Sequence, residues 1–129
     1  MVGLVVVGHG RLSEAMVQAL ESVVGKQEAL EAVISDPTDG PQEIRERIAG
    51  AVRRVDRGGG VLIVTDMLGD TQTNMSLVVA RETGAHVVAG VNMPMLIKLS
   101  SVRQQMDLGP LAQFIQRYGQ AHIFCVTAP

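Results

Sequence analysis

The stretch Leu4–Met16, LVVVGHGRLSEAM, passes from a valine block through a Gly-His-Gly turn into a polar, helix-like segment. Leu4, Val5, Val6 and Val7 are apolar without alternation, the pattern of a strand covered on both faces. Such strands belong to parallel sheets, and parallel neighbours are joined by crossover helices. After the turn, Leu12, Ala15, Met16, Ala19, Leu20, Val23 and Val24 recur at helical spacing, which predicts one inward stripe. Gly25 then suits the helix end.

The same alternation continues in both directions. Apolar, β-branched blocks stand at VGLVVV (2–7), LEAVIS (30–35), GVLIVT (60–65) and AHVVAGV (85–91). Between the second and third, Asp39-Gly40-Pro41 opens a helix with proline in its first turn. That helix carries Ile44, Ile48, Ala51, Val52 and Val55 inward. Gly58-Gly59-Gly60 ends the segment. Further helices are expected from Thr71 to Thr83, from Pro94 to about Gln104 and from Pro110 to Tyr118, followed by a strand-like AHIFCVT. The order predicts an open, mainly parallel α/β sheet of four strands with helices on both faces and right-handed crossovers. No repeat or low-complexity linker interrupts it, and residues 1–129 read as one domain.

Composition excludes several functions. The 129 residues carry 11 Lys and Arg against 13 Asp and Glu, a net charge of −2, and aromatics make up 2%. Nucleic-acid binding needs a basic face or a stacking platform, and neither is available. One cysteine, Cys125, allows no internal disulfide. No apolar run reaches the length of a membrane span, and VGLVVVG lacks a signal peptide's basic leader. A cytoplasmic protein without direct membrane insertion is expected.

His9 follows the first strand at the edge where open α/β sheets bind ligands. With strand order 2-1-3-4, strands one and three are neighbours, and the loop DMLGDTQTN (66–74) would bring Asp66 to His9. A carboxylate on one ring nitrogen fixes the tautomer and frees the other as a base. Helix N-termini and glycine-rich backbone nearby supply N–H donors for an anion. Together these describe a phosphoryl acceptor. Taken singly, the same residues have plainer roles: His9 as a backbone cap, Asp66 as a turn cap, Gly8 and Gly10 as turn glycines.

The chain resembles the IIA domain of the mannose family of the bacterial sugar phosphotransferase system. The resemblance spans VVVGHGRLSEAM, a helix ending in VVGKQE, VLIVTDMLGDTQTN and AGVNMPMLIKL. It implies that His9 accepts a phosphoryl group on Nε2 from an HPr-type phosphocarrier protein and passes it to a IIB domain. Asp66 would hold Nδ1, and Gly10, Leu68, Gly69, Asp70 and Thr71 would surround the phosphoryl group. No cofactor or metal is implied. A homodimer is, in which AHIFCVTAP crosses as an antiparallel strand and covers a sheet edge. No IIB sequence follows, so IIB would act in trans.

One departure falls in the active loop. The family pattern reads Asp-x-x-Gly-Gly-Ser/Thr-Pro-x-Asn, whereas this chain has Asp70 for the second glycine and Gln72 for the proline. A carboxylate about 6 Å from a phosphoryl charge costs roughly 3 kcal/mol at an effective dielectric near 20. Asp70 is therefore expected to cap the third helix and point away, to hasten onward transfer, or to suppress phosphorylation. The last outcome would leave a regulatory binding module governed by the state of His9.

Other residues carry two readings. Thr71 offers a hydroxyl to the ligand or a cap to the helix. Arg11 attracts a phosphoryl group or simply lies in solvent. Asn74 is expected to hold the loop, Met95 to fill the core, and Met93 and Pro94 to border the site. His86 and His122 should begin strands remote from His9, which disfavours a chelatase built on converging histidines. A histidine phosphatase would place arginine before the histidine, where Gly8 stands. Arg45, Arg47, Arg53, Arg54 and Arg57 form a solvated helix face interleaved with Glu43, Glu46 and Asp56.

Overall fold

The computed structural model describes residues 1–129. Four strands alternate with helices: β1 (Gly3–Val7), α1 (Leu12–Val24), β2 (Leu30–Val33), α2 (Pro41–Val55), β3 (Val61–Thr65), α3 (Thr71–Thr83) and β4 (His86–Ala89). Two helices, α4 (Met93–Val102) and α5 (Leu108–Ala121), complete the order. The sheet is wholly parallel in the order β2-β1-β3-β4. Leu4 pairs with Leu30 and Leu62, and Leu62 pairs in turn with His86.

The valine block is buried because both of its faces are covered. Leu4 and Val6, with Leu62 and Val64, pack beneath Leu20, Leu96, Leu99, Leu111 and Ile115 from α1, α4 and α5. Val5 and Val7, with Val61 and Ile63, face Ile44, Ile48, Ala51, Val52 and Val55 of α2 and Val79 of α3. The period-two geometry of a strand makes this division. Gly3 admits the close approach of α2, since a Cβ there would stand 2.3 Å from the Val55 carbonyl oxygen.

Two expectations need correction. On α1, Leu12, Ala15, Ala19 and Val23 face solvent, while Ser13 and Leu20 are buried and Met16, Val17 and Val24 pack on the core. The helix is apolar on more than one side, so periodicity leaves its rotation open. The buried Ser13 hydroxyl donates to the Val33 carbonyl at 2.7 Å and pins the rotation. At the other end, α5 runs on to Ala121, and His122 is its C-cap rather than the start of a strand. The His122 ring stacks on Tyr118 at 3.8 Å. Residues 123–129 form no strand within the chain and leave Ile123, Phe124 and Val126 exposed.

The arginine face of α2 is solvated and partly paired, as expected, but most partners come from other elements. Arg45 pairs with Glu82, Arg47 with Asp39, and Arg54 with Glu31. No helix of the chain is long and apolar enough to cross a membrane.

Candidate functional site

Strand order makes the site. Because β1 and β3 are neighbours, the segments leaving their carboxyl ends emerge side by side. The Asp66 amide extends the ladder by donating to the Val7 carbonyl at 3.2 Å. Its side chain then turns to the opposite loop. There Asp66 Oδ2 accepts from the His9 backbone N–H at 3.0 Å and lies 2.7 Å from His9 Nδ1. The two residues, 57 positions apart, therefore meet as the sheet order requires.

This double contact fixes imidazole orientation. With Nδ1 carrying the proton toward Asp66, Nε2 keeps its lone pair, and 48% of the side chain is open to solvent. Donation to Asp66 holds the His9 pKa above the ordinary 6.5; burial pulls it down, and the charges of Asp66 and Asp70 add to the rise. Burial pushes the Asp66 carboxyl up, but contacts with the His9 ring and backbone outweigh it and leave the pKa lowered.

The supporting loop is held by Gly8, Gly10 and Gln72 through Ser35, which sequence reading passed over. Gly10 takes φ +53°, a conformation that strains any side-chain-bearing residue. Its carbonyl accepts from the Ser35 amide at 3.3 Å. The buried Ser35 hydroxyl donates to the Gly8 carbonyl at 2.8 Å and accepts from Gln72 Nε2 at 3.0 Å. Gln72, which replaces the family's proline, thus braces the histidine loop through Ser35. No local pattern marks this chain of contacts, because its members lie just after β1, just after β2 and in α3.

Asp70 does two things at once. It is the N-cap of α3, with Oδ1 accepting from the Thr73 amide at 2.7 Å. It does not point away: Oδ2 lies 3.3 Å from His9 Nε2, in a side chain only 7% exposed. Oδ2 has no hydrogen-bond partner. The cap also occupies one of the N–H groups that a helix start would offer an anion.

The remaining expectations divide. Gly69, two residues after the 53% exposed Met67, has φ +93°, and Leu68 is 76% exposed. Thr71 is exposed in the first turn of α3, and the side chain of Asn74 is exposed and makes no hydrogen bond. The loop is held instead by Thr73, whose hydroxyl lies against the Met67 carbonyl and, at 2.8 Å, Thr65 Oγ1. Arg11 pairs with Glu14 at 2.9 Å in solvent. Met95 is buried in the core. His86 begins β4 at the far, amino end of the sheet.

Sequence reading also missed Arg103, 2% exposed. Its guanidinium donates to the carbonyls of Ala29, Glu28 and Val2 and to Gln27 Oε1, binding the start of β1 to the turn before β2. Burial lowers its pKa. The largest hollow, about 540 Å³ between β2 and α2, is lined by Asp36, Asp39, Arg47 and Arg54 rather than by site residues. Its arginines are already paired.

An open parallel sheet with a carboxylate-aimed histidine beyond its first strand defines a histidine-centred α/β protein. Residues 3–116 match the family model described as the PTS system fructose IIA component, designated EIIA-man, and the chain belongs to this mannose-type IIA family. It is 26% identical over 115 residues to the PTS system sorbose-specific EIIA component of Lacticaseibacillus casei, covering 88% of this chain and 83% of that one. It is 26% identical over 121 residues to the PTS system fructose-specific EIIA component of Bacillus subtilis, covering 93% and 83%. The mannose/sorbose specific IIA subunit of the phosphotransferase system from Enterococcus faecalis shares the fold, with a TM-score of 0.88 at 22% identity. That match covers 99% of this chain and 96% of the other.

Proposed function

We propose that residues 1–129 act as one phosphoryl-carrying IIA domain, accepting phosphorus on His9 Nε2 and passing it to a IIB partner in trans. The observation that carries this reading is the 2.7 Å contact between His9 Nδ1 and Asp66 Oδ2, which leaves the Nε2 lone pair free. The donor is an HPr-type phosphocarrier whose phosphoryl group is itself labile. The His9 Nε2 lone pair attacks phosphorus, a new P–N bond forms, and the donor's bond breaks with its electron pair returning to the donor. His9 keeps its Nδ1 proton throughout, and Asp66 stabilises the positive ring. Onward transfer repeats the displacement with the IIB nucleophile attacking. Gly10, Leu68, Gly69 and Thr71 border the transferred group.

Asp70 favours a second reading. Phosphorus bonded to Nε2 would stand in the gap now facing Asp70 Oδ2, so one side chain must rotate and the charges repel. A site with this hindrance suits a regulatory module whose partner binding follows the phosphorylation state of His9. Phosphorylation with phospho-HPr separates the readings. The carrier gives an acid-labile adduct that is absent in His9→Ala and is discharged by a IIB protein. A module gives no adduct, or one that IIB does not discharge. No adduct in the wild-type chain sinks the carrier reading.

The same reading includes a cytoplasmic homodimer with residues 123–129 exchanged as an antiparallel strand. The exposed Ile123, Phe124 and Val126, together with the unpaired outer edge of β4, support it. Sedimentation would find dimers for the full chain and monomers after deletion of 123–129.

A further inference from the structure

Asp70 Oδ2 is a buried carboxylate oxygen without a hydrogen bond, held against a histidine nitrogen with a free lone pair. A buried anionic oxygen left in this state is costly unless something pairs with it. A charge-assisted N–H···O bond to the ring would be about 2.7–2.9 Å long. The observed separation, 3.3 Å, is longer than that and goes unexplained by hydrogen bonding. It does match the spacing of two donors on one tetrahedral ion. Nitrogen and oxygen ligands about 2.0–2.1 Å from zinc at the tetrahedral angle stand about 3.3–3.4 Å apart.

The surroundings fit the same chemistry. His9, Asp66 and Asp70 each present a ligand atom within 4.8 Å of the other two. Asp66 receives Nδ1–H, the carboxylate behind the ring that fixes tautomer and orientation in metal-binding histidines. Asp70 is anchored as well, because its other oxygen is tied to the start of α3. The donor pair is therefore pre-positioned, and on the His9 side it is reached from solvent, since that side chain is 48% exposed. An imidazole nitrogen beside one carboxylate selects zinc-class transition ions over magnesium or calcium, which take oxygen.

We propose that His9 Nε2 and Asp70 Oδ2 form an open binding site for a zinc-class divalent cation, with Asp66 orienting the histidine from behind. The cation uses the lone pair that phosphorylation needs, so the two occupants exclude one another. Binding itself does not rest on the phosphoryl-carrier reading; only the exclusion does.

The test is a zinc titration of the full, unphosphorylated chain by calorimetry, repeated with cobalt(II), whose visible bands report tetrahedral coordination. One ion per chain is expected, unaffected by excess magnesium. His9→Ala and Asp70→Gly should each weaken binding at least tenfold. Asp70→Asn, which retains an acceptor for the α3 cap and so guards against misfolding, should weaken it similarly. Cys125→Ala should bind as the wild type does. Absence of binding, binding indifferent to Asp70, or binding lost with Cys125 would each overturn the site. If the wild type binds zinc yet is phosphorylated equally well with zinc present, the site stands and the exclusion fails.

Discussion

Asp70 Oδ2 lies 3.3 Å from His9 Nε2, while Asp66 Oδ2 lies 2.7 Å from Nδ1 of the same ring. The imidazole is thus flanked by two carboxylates from the β3–α3 loop, one on each nitrogen. They oppose each other in effect. In the proposed carrier, Asp66 would prepare Nε2 to accept phosphorus, and Asp70 would place a negative charge where the phosphoryl group goes.

Replacing Asp70 by glycine, the residue of the family pattern, should raise the phosphorylation rate by about 10²-fold. That figure corresponds to about 3 kcal/mol and is a lower bound. With Asp70 Oδ2 3.3 Å from Nε2, a phosphoryl group there would stand about 4 Å or less from the carboxylate, where an effective dielectric near 20 gives about 4 kcal/mol. The lost cap should cost only a few tenths of a kcal/mol, since glycine is itself accepted at N-caps. Rapid-quench labelling with phospho-HPr and a thermal melt measure the two effects separately. An unchanged rate would remove Asp70 from the phosphoryl site.

Asp66→Asn keeps the shape but offers Nδ1 an amide in place of a carboxylate. Phosphorylation of His9 should fall on the order of 10²-fold, because tautomer and ring charge are no longer supported. The ring should also titrate at lower pH than in the wild type, as NMR of its carbon-bound protons would record.

The pH dependence follows from the directions of the two shifts. His9 is raised above 6.5, so its pairing stabilises the fold fully below that pH and fades as pH climbs through the raised value. Asp66 is lowered below 3.8, so its contribution is present above that pH and is lost as acid protonates it. The melting-temperature difference between wild type and His9→Gln should be largest between about pH 4 and 6.5 and shrink above. Phosphorylation runs the other way, since only neutral imidazole accepts phosphorus. Its rate should rise with a midpoint above 6.5, and Asp70→Asn should move that midpoint down.

Arg103→Ala should destabilise the chain by about 3–5 kcal/mol. The substitution opens a cavity and strips donors from buried carbonyls of Ala29 and Glu28. Urea unfolding measures it. A loss below about 1 kcal/mol would mean that water replaces the guanidinium.

Gly3→Ala places a methyl group 2.3 Å from the Val55 carbonyl oxygen. The neighbour is helix backbone and cannot swing aside, so overpacking of about 1–3 kcal/mol is expected. Denaturation of this variant reports how closely α2 sits on β1.

The strands, most of the helices and the location of His9 were legible in the sequence because burial on a sheet imprints itself on consecutive residues. VVV before a glycine turn, and Ile44, Ile48, Ala51, Val52 and Val55 on one helix face, are local records of what covers them. The strand order expected from the pattern already brought Asp66 to His9, and resemblance supplied the family. Elsewhere local pattern was ambiguous or silent. The rotation of α1 could not be read, since apolar residues lie on several of its sides and the Ser13–Val33 bond selects one. The extension of α5 through Ala121 was hidden because a short apolar run suits helix and strand alike.

Only the tertiary structure decided what the polar residues do. The Gln72–Ser35–Gly8 brace and the Arg103 anchor join segments far apart in the chain, so neither leaves a periodic trace. Asp70 shows the distinction most sharply. Its type and place before a helix foretell the cap made by one oxygen. That the other oxygen faces His9 depends on how β1 and β3 set their loops against each other, and this comes from packing, not composition.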